Sequence, residues 1–200
     1  MKFHKYLERL IGNRVSISIL RSLLDYKGRI FTVRSLADVS NVSKTETAVI
    51  IEELEKFGVI RIQPIGKAYH LTLNEKSYVF NKIVKPLLAA EKKTLEELVL
   101  LLKNHLSTEK IISAAIFGSI SRAEEKEDSD VDLLVISDDF DHATKAITSA
   151  SEEVSLVFHS KLSPVIFSKK EFVSKKGSTL VRSIINSYIL IAGKELKDIK

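Results

Sequence analysis

Cysteine is absent from the 200 residues, so neither a disulfide nor a thiolate metal site can form. The five histidines, His4, His70, His105, His142 and His159, are scattered without ligand spacing, which argues against zinc. No stretch reads as a leader or a membrane span. The opening MKFHKYLERL has no apolar core, and the most apolar late segment, 184–192, is short and interrupted by Asn186, Ser187 and Tyr188. The expectation is therefore a cytoplasmic protein with no membrane partner. Internal repeats and low-complexity tracts are also missing. The 44% hydrophobic content suits one or two small domains, each with its own core. The net charge of +5 is compatible with nucleic acid and equally with a lysine-rich solvated surface.

The chemistry concentrates in residues 111–137, IISAAIFGSISRAEEKEDSDVDLLVIS. An apolar run ends in Gly118-Ser119, a charged interval follows, and Ser129-Asp130-Val131-Asp132 opens a second apolar run through Ile136. This pattern predicts two strands around a short connecting segment. Residues two apart in a strand share a face, so Asp130 and Asp132 present their carboxylates side by side while Val131 and Leu133 face the core. Two like charges so placed repel. A hard divalent ion such as Mg²⁺, which takes carboxylate oxygens together with substrate phosphates, accounts for the pair. Gly118 lets the backbone approach a phosphate closely, and Ser119 is the expected cap of a following helix whose free N–H groups favour a triphosphate. Arg122 is placed either to neutralise that triphosphate or to face solvent, and the acidic run 124–128 reads as a solvated loop.

At these residues the sequence resembles the nucleotidyltransferases of the DNA polymerase beta superfamily, in particular its small, minimal members. Their signature is Gly-Ser, ten residues, then Asp-x-Asp at the start of an apolar strand, and Gly118-Ser119 and Asp130-Val131-Asp132 stand at that separation. The usual Arg-Gly after Gly-Ser appears here as Arg122-Ala123. The resemblance implies a Mg²⁺ (or Mn²⁺) ion on Asp130 and Asp132, a nucleoside triphosphate bound through Gly118, Ser119 and Arg122, and transfer of a nucleoside monophosphate to a hydroxyl with loss of pyrophosphate. It also implies a third carboxylate on the next strand, which completes the metal site and accepts the proton of the attacking hydroxyl. Matched against residues 163–168, SPVIFS, that position is Ser163, and serine cannot serve as a general base near neutral pH. Glu152, Glu153 and His159 are the nearby groups that could substitute, although all lie in or just after a predicted helix.

Upstream, residues 15–26 carry Ile17, Leu20, Leu23 and Leu24 at helical spacing. A second helix is expected from Phe31-Thr32, with Thr32 as its cap, and a third from Ser43, where Ser43 and Glu46 form a capping-box pattern ahead of Ala48, Ile51 and Leu54. Residues 59–63 and 68–73 then alternate around Pro64-Ile65-Gly66-Lys67, which predicts a hairpin. That order, together with the wording of residues 33–61, resembles the winged helix-turn-helix regulators. The resemblance implies that the third helix enters the major groove of duplex DNA through Lys44, Thr45 and Thr47, while the wing offers Arg61, Gln63 and Lys67. A winged helix used only for protein contacts remains the other reading.

Residues 74–108 have apolar positions at three- and four-residue intervals, with Pro86 expected to kink or divide the helix. This connector reads either as a homodimerisation helix or as a spacer packed on its neighbours. Further on, residues 140–158 and 179–188 have helical spacing, 161–168 reads as a third strand, and a short helix is expected at 170–176. The expected fold class is α+β: a winged helix-turn-helix domain (1–75), a helical connector (76–108), and a nucleotidyltransferase-like domain (109–200) built on a mixed sheet with helices on one side. Two functions follow. One is Mg-dependent nucleotidyl transfer to an unidentified hydroxyl, joined to DNA binding. The other, suggested by Ser163, is a DNA-binding regulator or antitoxin-like protein whose degenerate second domain senses a nucleotide.

Overall fold

Polar side chains cap three of the first four helices of the described residues. In the computed structural model, which describes residues 6–66 and 68–200, α1 (Leu7–Ile11) is followed by α2 (Arg14–Asp25), whose Asn13 cap accepts from Val15 N–H at 2.8 Å. Helix α3 (Val33–Ser40) is held by a full capping box between Thr32 and Ser35, and it ends at Asn41 in the left-handed region. Helix α4 (Lys44–Lys56) is capped by Ser43 Oγ, which accepts from Glu46 N–H at 3.2 Å. Here the expected reciprocal box is altered, because Glu46 takes the Ser43 hydroxyl (2.6 Å) rather than reaching the backbone. The apolar sides of these helices, including Ile19, Leu20, Leu23, Leu36, Ile50, Ile51 and Leu54, converge in one core.

Strands β1 (Ile60–Ile65) and β2 (Ala68–Leu73) form an antiparallel hairpin with register from Ile60↔Leu73 to Ile65↔Ala68. Pro64 and Ile65 therefore belong to the strand, not the loop, and the turn starts at Gly66. The missing N–H of Pro64 is tolerated because β1 pairs on one side only. Phe31, expected at a helix start, instead makes an isolated bridge with Leu71, exchanging both backbone hydrogen bonds at 2.9 and 2.7 Å. The expected order of helices and hairpin is present.

The chain divides into two units after Lys93. A π-helical turn (Phe80–Val84) precedes α5 (Lys85–Leu106), and Lys85 N–H bonds Phe80 O, five residues back. Pro86 explains it: its ring would meet the carbonyl of residue 82 in a regular α-helix, and the wider turn relieves that clash. Val79, Phe80, Val84 and Leu88 pack in the first core, whereas Leu98, Leu101, Leu102 and Leu106 pack in the second unit. No helix among the described residues is long and apolar enough to cross a membrane.

The second unit is a four-stranded mixed sheet. Strand β3 (Ser113–Ile116) leads through a one-turn helix, α6 (Gly118–Ser121), to its antiparallel neighbour β4 (Val131–Ile136). Helix α7 (Phe140–Phe158) then crosses to β5 (Leu162–Phe167), which is parallel to β4. Helices α8 (Lys169–Ser174) and α9 (Thr179–Asn186) follow, and β6 (Ile189–Gly193) returns antiparallel to β3, giving the order β5-β4-β3-β6.

Residue alternation assigns the two faces. Val131, Leu133 and Val135 pack with Ala143, Ile147, Ala150 and Val154 of α7 and with the C-terminal part of α5. Leu134, Ile136 and Phe167 pack instead with Phe172 of α8 and with Val181 and Ile184 of α9. Helices thus cover both faces, where the sequence reading put them on one. The reason is visible in β3 and β4, whose nearly continuous apolar runs are buried on both sides, a pattern a one-sided sheet does not produce.

Gly193 closes the sheet opposite Ser113, beside a register shift between Ala114 and Ala115, with φ +83°. A Cβ there would lie 2.2 Å from Ile112 O. Gly193→Ala must therefore shift the β3–β6 backbone, and it should destabilise the chain by about 1–3 kcal/mol. Urea denaturation followed by circular dichroism measures this, and an unchanged midpoint would show that the edge yields without cost.

Candidate active site

Strand β3 ends at Ile116, and after Phe117 the backbone turns sharply through Gly118 at φ +75°. The turn is held from β4, since Phe117 N–H donates to Asp132 O at 3.0 Å. Asp132 folds its carboxylate onto the glycine: a Cβ on residue 118 would sit 1.9 Å from Asp132 Oδ2. Only glycine fits beneath that oxygen.

Asp130 is exposed just ahead of β4, and Asp132 is half-buried as its second residue. Between them Val131 is buried against the α7 side, so the two aspartates belong to the other face. Burial pushes the Asp132 carboxyl above its ordinary value, the charge of Asp130 pushes it further, and Arg122 opposes both. A pair whose second charge is disfavoured in this way, with carboxylate oxygens open to solvent, is a donor set that suits a hard divalent cation completed by phosphate oxygens. Arg122 ends α6, is exposed, and donates through Nε to Glu124 Oε2 at 2.7 Å.

Ser119 does not cap the following helix. That helix is only four residues long, starts at Gly118 and has Phe117 at its cap position, so Ser119 lies inside it, half-buried, with its hydroxyl making no hydrogen bond among the described residues. So short a turn contributes opening N–H groups but little dipole.

In the parallel register of β4 and β5, Ser163 stands directly beside Asp132, on the same face and exposed. The three suggested substitutes for an acid there lie elsewhere. Glu153 pairs with His105 of α5 at 2.5 Å, and Glu152 and His159 line a cleft with Ile147, Leu156 and Leu162. All three belong to α7 or its C-terminal cap, on the opposite face of the sheet from the aspartates.

One group of residues escaped the sequence reading. Thr179, Arg182, Ser183 and Asn186 line a cleft of about 400 Å³ with Arg122 and Ser187. Their signal was available as the spacing i, i+3, i+4, i+7, a polar stripe on a helix whose buried stripe holds Val181 and Ile184.

In the first unit, Lys44 and Thr45 are exposed on the first turn of α4, and Arg61 and Gln63 are exposed on β1. Thr47 is not available to a partner. It is fully buried, and its hydroxyl donates to Ser43 O at 2.8 Å, so it is a core residue of the helix. Lys67 and His4 lie outside the described residues.

The family model described as "Polymerase beta, Nucleotidyltransferase" matches residues 96–195. No curated protein matches the chain. Among solved structures, a toxin-antitoxin complex with AMP-PNP is similar at 17% identity and TM-score 0.35, covering 52% of this chain and 77% of that one. The toxin-antitoxin MntA-HpeT mutant D39ED41E is similar at 16% identity and TM-score 0.33, covering 52% and 75%. TrmBL2, an archaeal chromatin protein, is similar at 21% identity and TM-score 0.31, covering 90% and 72%. The family match takes in half of the 200 residues and contains both the glycine turn and the aspartates, and the chain belongs to the polymerase beta nucleotidyltransferase family.

Proposed function

We propose that the second unit binds a nucleoside triphosphate with Mg²⁺ or Mn²⁺ and transfers its nucleoside monophosphate to a hydroxyl acceptor. The observation that carries this reading is the seating of the Asp132 carboxylate against Gly118 with Asp130 on the same face. Asp130 and Asp132 would hold the ion, which supplies charge neutralisation at the phosphates when bound. Gly118 gives the phosphates close access to backbone N–H groups, and Arg122 adds a cation. In the transfer the acceptor oxygen forms a bond to the α-phosphorus, the bond from that phosphorus to the bridging oxygen breaks, and pyrophosphate leaves with the electron pair. The acceptor proton needs a base, and Ser163 beside Asp132 does not provide one.

Ser163 also favours the second reading, a domain that binds nucleotide and turns it over slowly or not at all, so that the chain acts as a nucleotide-sensing regulator. In either case the exposed Lys44, Thr45, Arg61 and Gln63 support duplex DNA as the partner of the first unit.

Calorimetry with nucleoside triphosphates should show binding only in the presence of Mg²⁺ or Mn²⁺, and Asp130→Asn/Asp132→Asn should abolish it. Equal binding with chelator would remove the metal from the site. In a labelled-nucleotide transfer assay, Ser163→Asp should raise turnover by some part of the roughly 10²–10⁴-fold that general-base catalysis contributes, with triphosphate affinity nearly unchanged. Fast wild-type transfer that this substitution does not improve would mean that another group takes the proton. For the first unit, anisotropy titrations of duplex DNA at several salt concentrations should give a log–log slope that becomes shallower by about 0.9 when Lys44 or Arg61 is replaced by Gln. Absence of binding at low salt would leave protein contacts as the role of that unit.

A further inference from the structure

Every residue that lines the cleft beside the glycine turn is polar or basic. Thr179, Arg182, Ser183 and Asn186 form the polar stripe of α9, and Arg122 and Ser187 complete the lining, which contains no carboxylate. Arg182 is exposed, and its guanidinium makes no hydrogen bond or ion pair among the described residues. Arg122 engages Glu124 through Nε, which leaves its terminal nitrogens free to turn into the cleft.

The cleft is also fastened to the turn that carries Gly118. Ser121 Oγ lies 2.9 Å from Gly118 O and 3.0 Å from Ser187 O, and Ser187 Oγ donates to Ser121 O at 3.1 Å. These bonds tie the end of α9 to α6, so the cleft and the glycine turn are parts of one surface. Arg122 belongs to both, since it lines the cleft and its charge also acts on Asp132. Two guanidiniums flanked by hydroxyls and an amide suit a multiply charged phosphate group, which takes forked arginine donors and neutral donors together.

We infer that this cleft binds the β- and γ-phosphates of the nucleotide, the part that leaves as pyrophosphate, and that Arg182 makes the chain prefer triphosphates to monophosphates. The inference rests on the proposed nucleotide site and extends it to α9, the helix that leads into β6. The α-phosphate stays at the aspartate pair while the two terminal phosphates reach across Ser119 to Arg122 and Arg182. Arg182 is thus a binding residue for the leaving group and takes no part in proton transfer.

The test is calorimetry on the full chain with Mg²⁺, using ATP, GTP, CTP and UTP, the matching monophosphates, and inorganic tripolyphosphate. Arg182→Gln should weaken triphosphate and tripolyphosphate binding about tenfold, the equivalent of one charged hydrogen bond, and should leave monophosphate binding unchanged. Arg182→Lys should restore part of the loss. Because Arg182 is solvent-exposed, the Gln variant should keep the wild-type circular dichroism spectrum and melting curve. Unchanged triphosphate binding in Arg182→Gln, with binding lost in Asp130→Asn/Asp132→Asn, would overturn the cleft assignment and leave the nucleotide site standing. An equal loss for monophosphate and triphosphate would also overturn it, by showing that Arg182 meets the sugar or base. A wild-type chain that binds no nucleotide would overturn both.

Discussion

The second unit is arranged around the closeness of the Asp132 carboxylate to the α-carbon of Gly118. Any side chain at residue 118 would displace the carboxylate, and any displacement would alter the spacing to Asp130. The turn itself depends on the same neighbour, because the Asp132 carbonyl accepts from Phe117 N–H. Backbone and side chain of one residue therefore hold both the shape of the Gly118 turn and the charge against it. The fold supplies the rest: β4 is an inner strand, paired on both sides, so the aspartate is carried on a rigid element of the sheet.

The sheet also keeps two chemistries apart. On the α7 face, the side chains of β4 are apolar, and His105 and Glu153 at its rim pair with each other. On the other face, the aspartates, Ser163 and the arginine cleft share one rim, while Leu134, Ile136 and Phe172 fill the core beneath. A carboxylate on α7 cannot exchange faces without passing through the sheet, so Glu152 and Glu153 stay apart from Asp132 and Ser163.

Much of this was legible in the sequence. The Gly-Ser and Asp-x-Asp spacing located the turn and the acidic strand, because a period of two leaves little freedom in where side chains point. Matching residues 163–168 to the third strand of the resembled family put Ser163 on the face of the aspartates, and the register sets it beside Asp132. Two things were less accessible. Ser119 as a helix cap failed because the helix after the turn spans a single turn, a length that no propensity rule reveals from GSISRAEE. The placement of helices on one face failed because α8 and α9 are short and their apolar residues few, yet Phe172, Val181 and Ile184 are enough to close a face. Thr47 illustrates the limit of reading helix positions by residue type. A threonine near the start of a helix is equally able to reach outward or to bond back to the preceding turn, and here it does the second.

The upward displacement of the Asp132 carboxyl also bears on the durability of the fold. Its folded form holds a proton more tightly than its unfolded form, so raising the pH from the ordinary carboxylate value of 3.8 upward removes stability rather than adding it. At neutral pH the burial of Asp132 and its repulsion from Asp130 oppose folding, and a neutral amide at either position would remove the repulsion. Substitutions that neutralise one carboxylate are therefore expected among changes that stabilise this chain, and the pair is a place where the fold carries charge at a cost in stability.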